Sequence, residues 1–378
     1  MNANASSPPP DRDLRFDILK TVGIFCIILA HTNADDVIDQ IRNFDVPLMV
    51  MVSGALFSVS RGDRPFSFGE YFRKRVVRLI APVWIFLVLF FSATYVLDTL
   101  LMGKEYPYSW QTIGESFLTI GELDGLWIVR VFILIASISP AIVAIVDRAK
   151  TTERAIVVLL VIYGIYEVIF SLSDKFEPDF ANDAIENFAK GFNDIVINDF
   201  ILYAIPYGCI FGMGILWRRA NRKTMAVISA TGFVVFIALG LQYSDVADRF
   251  IKTQAYKYPP QLYYFAYAIF ASMLLYLWVD RLVKTRFWKT RSHWLAPAIV
   301  FISSSTLWIY LWQMFWLEYE PLLRDWLNIG FSQPFTFFTV SLLSIACTLG
   351  HKTIVQHFVD TTQFGRQHQK LMSVLFLK

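Results

Sequence analysis

Arg73-Lys74-Arg75-Val76-Val77-Arg78-Leu79-Ile80-Ala81-Pro82 opens a stretch in which Asp98 is the sole charge between Leu79 and Leu101. About 20 apolar residues cross the hydrocarbon core of a bilayer, and lysine and arginine are retained on the cytoplasmic side. A basic cluster running into such a stretch therefore reads as a membrane helix entered from the cytoplasm. Working outward, apolar runs recur near 15–34, 43–60, 77–101, 126–146, 155–172, 198–217, 224–242, 259–280, 295–317 and 333–356. The first is the poorest by hydropathy, being continuously apolar only from Thr21 to Ala30.

The connections between these runs alternate in charge. The second holds Arg61, Arg64, Arg73, Lys74 and Arg75, the fourth Arg148, Lys150 and Arg154. The sixth holds Arg218, Arg219, Arg222 and Lys223, and the eighth Arg281, Lys284, Arg286, Lys289 and Arg291. Odd connections are acidic: Asp35, Asp36 and Asp39 in the first, Glu105, Glu115, Glu122 and Asp124 in the third, and the stretch from Asp174 to Asp199 in the fifth. The seventh is mixed, with Lys252 and Lys257 beside Asp245 and Asp248. An all-α integral membrane protein follows, with about ten transmembrane helices and both termini cytoplasmic. Residues 1–13 read as a disordered cytoplasmic tail, 14–357 as the membrane domain and 358–378 as a second cytoplasmic tail, either polar or a surface helix through Leu371, Leu375 and Phe376.

Composition agrees. Of 378 residues, 56% are hydrophobic and 17% charged, against about 25% charged in soluble domains. A net charge of +3 is too small to argue for a nucleic-acid partner. Cys26, Cys209 and Cys347 lie far apart in apolar runs without disulfide or metal-ligand spacing, so no metal is expected. Pro8-Pro9-Pro10 and the alternating charges Asp11, Arg12, Asp13 do not read as a cleavable signal.

Ionisable groups within the spans mark the chemistry. Lys20 and His31 are eleven residues apart, about three turns, which sets both on one helix face roughly 16 Å apart. Asp17 lies near the same stripe. Such groups face a polar cavity or one another, unless they merely reach for the interface or end the helix. Arg75 and Arg78 share a face at the cytoplasmic entrance, where guanidinium groups suit phosphate, although topology or anionic lipid accounts for the same charges. Pro47 stands in the first turn of the second span, and Ser53-Gly54 lets a neighbouring helix approach closely. Arg130 is a charge near the outer end of the fourth span, as Glu167 is in the fifth.

In order, these segments resemble the acyltransferase-3 family of integral membrane acyltransferases. The resemblance rests on Arg15-Phe16-Asp17-Ile18-Leu19-Lys20 followed by His31, Phe44-Asp45-Val46-Pro47-Leu48 to Ser53-Gly54, Arg75 to Pro82, Leu126-Trp127, and Ser305 to Leu311. It covers about Arg15 to His351. It implies an acyl-CoA donor, usually acetyl-CoA, and acceptors such as exopolysaccharide, O-antigen, peptidoglycan or lipid-linked sugars, at a bacterial inner membrane. It also implies that Lys20 and His31 are essential. Arginine is common at the position of Lys20, and many members have a histidine where Gln313 stands.

The expected reaction is O-acyl transfer. Neutral His31 suits the role of general base toward a sugar hydroxyl, with Asp45 a candidate to orient its ring and a covalent acyl-histidine an alternative. Arg130, or more distantly Lys20, would stabilise the oxyanion. Arg75, Arg78 and Lys20 would hold acyl-CoA. The rival readings are a transporter or flippase of a sugar or lipid-linked intermediate, with Lys20, Glu167, Arg130 and His31 along its path, and a non-catalytic membrane scaffold.

Overall fold

The computed structural model describes residues 12–61, 67–119, 123, 125–173, 175, 186, 189–190, 192–217, 219–247 and 249–377. Among them there is no strand. The helices are α1 (Leu14–Ala30), α2 (Asp36–Arg42), α3 (Asp45–Arg61), α4 (Phe68–Thr94), α5 (Trp110–Phe117), α6 (Leu126–Arg148) and α7 (Thr152–Ser173). After them come α8 (Leu202–Leu216), α9 (Arg222–Ala247), α10 (Leu262–Leu282), α11 (Arg286–Ser304), α12 (Thr306–Trp326) and α13 (Gln333–Thr361). The expected residues 1–11, Arg64, Glu122, Asp124, Asp174, Arg218 and Asp248, and most of 176–191, lie outside the described residues.

Eight helical stretches among the described residues are long and apolar enough to cross a membrane: Asp36–Ser60 (α2 with α3), Phe68–Leu101 (α4 and its continuation), α6, α7, Val196–Leu216 (α8 with the π-helical residues before it), α9, α10 and α13. The bent pair α11–α12 makes a ninth. With α1, every expected run falls on a helix. At 17 residues α1 is about 25 Å long, short of the roughly 30 Å core. It packs against α3, α10, α11, α12 and α13, so its polar residues face protein and lipid places no demand on its hydropathy.

Four boundaries differ from expectation for physical reasons. The first run stops at Ala30: Asn33 takes a left-handed φ of 52°, and Asp35 then caps α2 through the amides of Val37 and Ile38, so the first connection is itself helical. The third begins at Phe68, earlier than expected, and continues past Thr94 as a π-helical segment, Tyr95–Leu101. Arg73, Lys74, Arg75 and Arg78 therefore stand on α4 itself. The eighth begins at Leu262, because Pro259 and Pro260 supply no amide for a ladder. The ninth is two helices bent by 73° at Ser305. Four hydroxyl residues in a row, Ser303 to Thr306, compete with the helical backbone and favour a cap.

The residues expected as a C-terminal tail return to the bundle. Leu375 O accepts from Trp308 Nε1 at 3.2 Å, and Phe376 stacks on the Trp308 ring at 5.9 Å.

Glycines let α3 and α8 approach backbone to backbone. A Cβ on Gly54 would stand 2.2 Å from Phe211 O, and one on Gly214 2.0 Å from Met51 O. Ser53-Gly54 is thus a packing notch on one side. Gly54→Ala should push the pair apart and destabilise the protein by about 1–3 kcal/mol. Thermal unfolding in mild detergent checks this; an unchanged midpoint would mean that the contact is not tight in solution.

Candidate functional site

A cavity of about 640 Å³ opens beside the basic N-terminal half of α4 and runs inward along α1. Glu70, Lys74, Arg75 and Arg78 line its mouth. Lys20, Ile24 and Ile27 form one wall, Ile128, Val129 and Phe132 of α6 another, and Ser304, Thr306, Leu307 and Tyr310 a third. Arg75 Nη2 donates to Ser53 Oγ at 2.7 Å, so the serine beside the Gly54 notch holds this guanidinium. The three residues expected to hold a cofactor, Arg75, Arg78 and Lys20, therefore share one cavity.

Lys20 reaches the break between α11 and α12. Its ammonium donates to Ser303 O, a carbonyl at the end of α11 that has lost its helical partner. Asp17, one turn back, accepts from Ser303 Oγ and from Arg12 at 2.6 and 2.8 Å. Lys352 of α13 comes from another side, donating to Ser305 Oγ at 2.8 Å. Thr306 and Leu307, in the first turn of α12, face the cavity with the positive end of that helix.

His31 caps the C-terminus of α1, one turn beyond Ile27. Its Nδ1 lies 2.8 Å from Ile27 O. A carbonyl only accepts, so Nδ1 carries the proton and Nε2 of the neutral ring keeps its lone pair. The ring is thus oriented by its own helix, and the orienting contact expected from Asp45 is absent. Asp45 is instead committed elsewhere. It is 1% exposed, accepts from Arg42 Nη1 at 3.0 Å and lies 3.5 Å from Lys257 Nζ. The charges of Asp45, Lys257 and Arg42 all act on His31.

Arg130 is half-buried with its guanidinium 5.9 Å from the Tyr203 ring centroid. It is not part of the cavity wall, although Ile128 and Val129 beside it are. Spacing on α6 explains this: the turn that points Ile128, Val129 and Phe132 at the cavity points Arg130 toward α8. The structure does not bring Arg130 together with Lys20. Gln313 is buried, with Oε1 lacking a partner, and also lies off the cavity wall.

Three features were not foreseen. Lys257 is 2% exposed and sits within 6 Å of the rings of Trp127, Tyr258 and Tyr264. Burial pushes its ammonium below the ordinary lysine value, with Asp45 acting in the opposite sense. Nothing in its neighbourhood in the chain marks it as buried. Arg42, by contrast, stands three residues before Asp45, a spacing that could have been read as an ion pair. Tyr310 donates its hydroxyl proton to Gly125 O, fastening α12 to the start of α6. Gly125 has φ of 102°, and a Cβ there would meet the Tyr310 hydroxyl at 2.8 Å. Among the described residues no group of three or more His, Cys, Asp or Glu side chains is placed to hold a metal.

The fold and this cavity define a multi-pass helical membrane protein built around an internal, basic-mouthed site. Residues 13–351 match the model of the acyltransferase-3 family, described as an acyltransferase domain. The chain belongs to that family and is a membrane acyltransferase. No curated protein and no solved structure matches it.

The buried ion cluster gives a graded expectation. Asp45→Ala leaves Arg42 and Lys257 facing each other without a shared carboxylate and should cost about 3–5 kcal/mol. Lys257→Met keeps the Asp45–Arg42 pair and should cost clearly less. Unfolding midpoints measured side by side decide it, and the reverse order would show that Lys257, not Asp45, organises the cluster.

Proposed function

We propose that the protein transfers an acyl group, acetyl in the first instance, from cytoplasmic acyl-CoA to a hydroxyl of an extracytoplasmic or lipid-linked glycan at the bacterial inner membrane. The observation that carries this reading is the single cavity linking Arg75 and Arg78 to Lys20 and to Ile27, the residue whose carbonyl orients His31. The guanidinium groups at the mouth suit the phosphates of CoA, and the apolar walls suit its pantetheine arm and acyl end.

In this reading the acceptor hydroxyl attacks the thioester carbon while His31 Nε2 takes its proton. Lys20 and the first amides of α12, roughly 16 Å along α1 from His31, are donors on the cavity wall for the amide carbonyls of the pantetheine arm that threads past them. Collapse of the tetrahedral intermediate expels the CoA thiolate, which receives the proton from His31. The products are the O-acyl glycan and free CoA.

Transfer of labelled acetyl from acetyl-CoA to envelope glycans by purified protein tests the reading. His31→Ala should lower the rate by about 10²–10⁴-fold, the usual weight of a general base. Arg75→Gln with Arg78→Gln should raise KM for acetyl-CoA about tenfold or more while changing kcat much less. Undiminished transfer by the His31 variant would remove the base from the mechanism. An unaltered KM in the arginine variant would move the CoA site elsewhere.

A further inference from the structure

A second cavity, of about 390 Å³, lies on the other side of α1, where the basic ends of α1, α8, α9 and α10 meet. Asp13, Arg15, Trp217, Arg222, Tyr276 and Asp280 supply its polar and aromatic lining. The acyl-transfer reading makes no use of it.

Its hydrogen-bonding groups are unevenly committed. Both carboxylates are occupied. Asp13 takes a forked pair from Arg15, with Nη2 at 2.7 Å and Nε at 2.9 Å. Asp280 accepts from Arg15 Nη1 at 2.7 Å and from Lys284 Nζ at 2.8 Å. The donors are less fully used. Arg222 approaches Asp280 only to 3.8 Å, beyond hydrogen-bond range, and its side chain is 48% exposed. Trp217 is 3% exposed, and its indole Nε1 has no hydrogen-bond partner. Indole nitrogen can only donate, and a buried donor left unmade costs about 1–3 kcal/mol. Arg222 is also the first residue of the 26-residue α9, whose dipole favours an anion and whose third amide, Thr224 N, already donates to Asn221 Oδ1 at 2.9 Å.

Arg15 and Arg222 face Asp13 and Asp280 in the lining, and Lys284, outside it, also binds Asp280, so the carboxylates are filled and Arg222 is the lining cation left without a close partner. Trp217 and Tyr276 meet ring to ring at 4.6 Å, with Phe16 6.2 Å from Trp217, and give the pocket an apolar floor. An occupant that satisfies Trp217 Nε1 and Arg222 brings acceptor oxygens and negative charge, and the rings accommodate an apolar portion. Water alone would offer acceptors but no charge.

We propose that this cavity is a binding site for a phosphate ester, held by Arg222, the N-terminus of α9 and Trp217 Nε1. Two sources share that chemistry: the headgroup of an anionic phospholipid at the basic face of the membrane, and a soluble phosphate.

Native mass spectrometry of delipidated, detergent-purified protein tests the proposal, with phosphatidylglycerol, phosphatidylcholine and inorganic phosphate as probes. Wild type should bind at least one phosphatidylglycerol or phosphate more tightly than Arg222→Gln or Trp217→Phe does, by about tenfold, the weight of one charge-assisted hydrogen bond. Ala220→Leu, which fills the pocket and removes no polar group, should lose the same species. Phosphatidylglycerol retention that inorganic phosphate does not displace assigns a lipid headgroup. Displacement by millimolar phosphate assigns a soluble ligand. Equal binding of phosphatidylglycerol and phosphate by wild type and all three variants would overturn the site, as would a wild type that retains neither or that binds phosphatidylcholine as tightly as phosphatidylglycerol. Thermal unfolding of each variant without ligand identifies a folding defect; if one variant is misfolded, the remaining two decide.

Discussion

Inside a bilayer a backbone carbonyl that leaves its helix has no water to accept from, so a broken helix persists only where side chains replace the lost partners. The break at Ser305 meets that constraint through two lysines. Lys20 takes the freed carbonyl of Ser303, and Lys352 takes the hydroxyl of Ser305. The donor cavity depends on this arrangement, since the bend turns the first residues of α12 toward α1 and α6. A positive helix end and an ammonium group then meet at one wall. Lys20 is thus a structural member before it is anything else, and its two roles share one geometry. A point charge is enough to satisfy one carbonyl, which makes lysine workable at a position where a forked guanidinium would have spare donors to place.

His31 is held differently. The proton on Nδ1 is fixed by the preceding turn of its own helix, so ring orientation is inherited from α1. Asp45, Arg42 and Lys257 form a separate buried cluster whose field reaches the ring. Asn43, donating to Thr253 Oγ1 at 2.9 Å, ties the α2–α3 junction to the segment before α10, and Tyr267, donating to Ile41 O at 2.8 Å, ties α2 to α10 itself. The outer end of the bundle is therefore bound by polar contacts, the middle by close glycine packing.

The fold was legible because lipid imposes a simple code. Apolar length and the alternation of basic and acidic connections located a helix for every run, including the short α1 that hydropathy alone would have missed. What the code does not report is where a helix is irregular. A run can bend at Ser305 or continue as a π-helix at Tyr95 and stay apolar over its whole length, so 295–317 reads as one run and is two helices. The site was legible in part for the same reason. Lys20, Arg75 and Arg78 are charges that stand out against an apolar background, and each lines the cavity. Arg130 stands out equally, yet it faces Tyr203, because spacing along one helix does not specify which neighbour occupies each face. Lys257 was hidden, since a lysine in a polar connection carries no mark of burial; only the packing of Trp127, Tyr258 and Tyr264 around it does.

The periphery of the bundle carries its own consequence. In α9 only 11% of the apolar window is buried inside the protein, against 67% for α10 beside it. Its attachments are concentrated on α10: Ser229 donates to Phe270 O at 3.0 Å, Gly232 lies against the backbone of Ala266 and Phe270, and Phe233 and Phe236 meet the rings of Phe270 and Tyr263. Such a helix is held chiefly through one partner, α10, while acyl chains cover the rest of its surface. Solvents that mimic those chains poorly, short-tailed detergents above all, would loosen α9 while the core around α1 stayed intact. Loss of α9 would open the wall at Arg222 and leave the chamber at Lys20 closed.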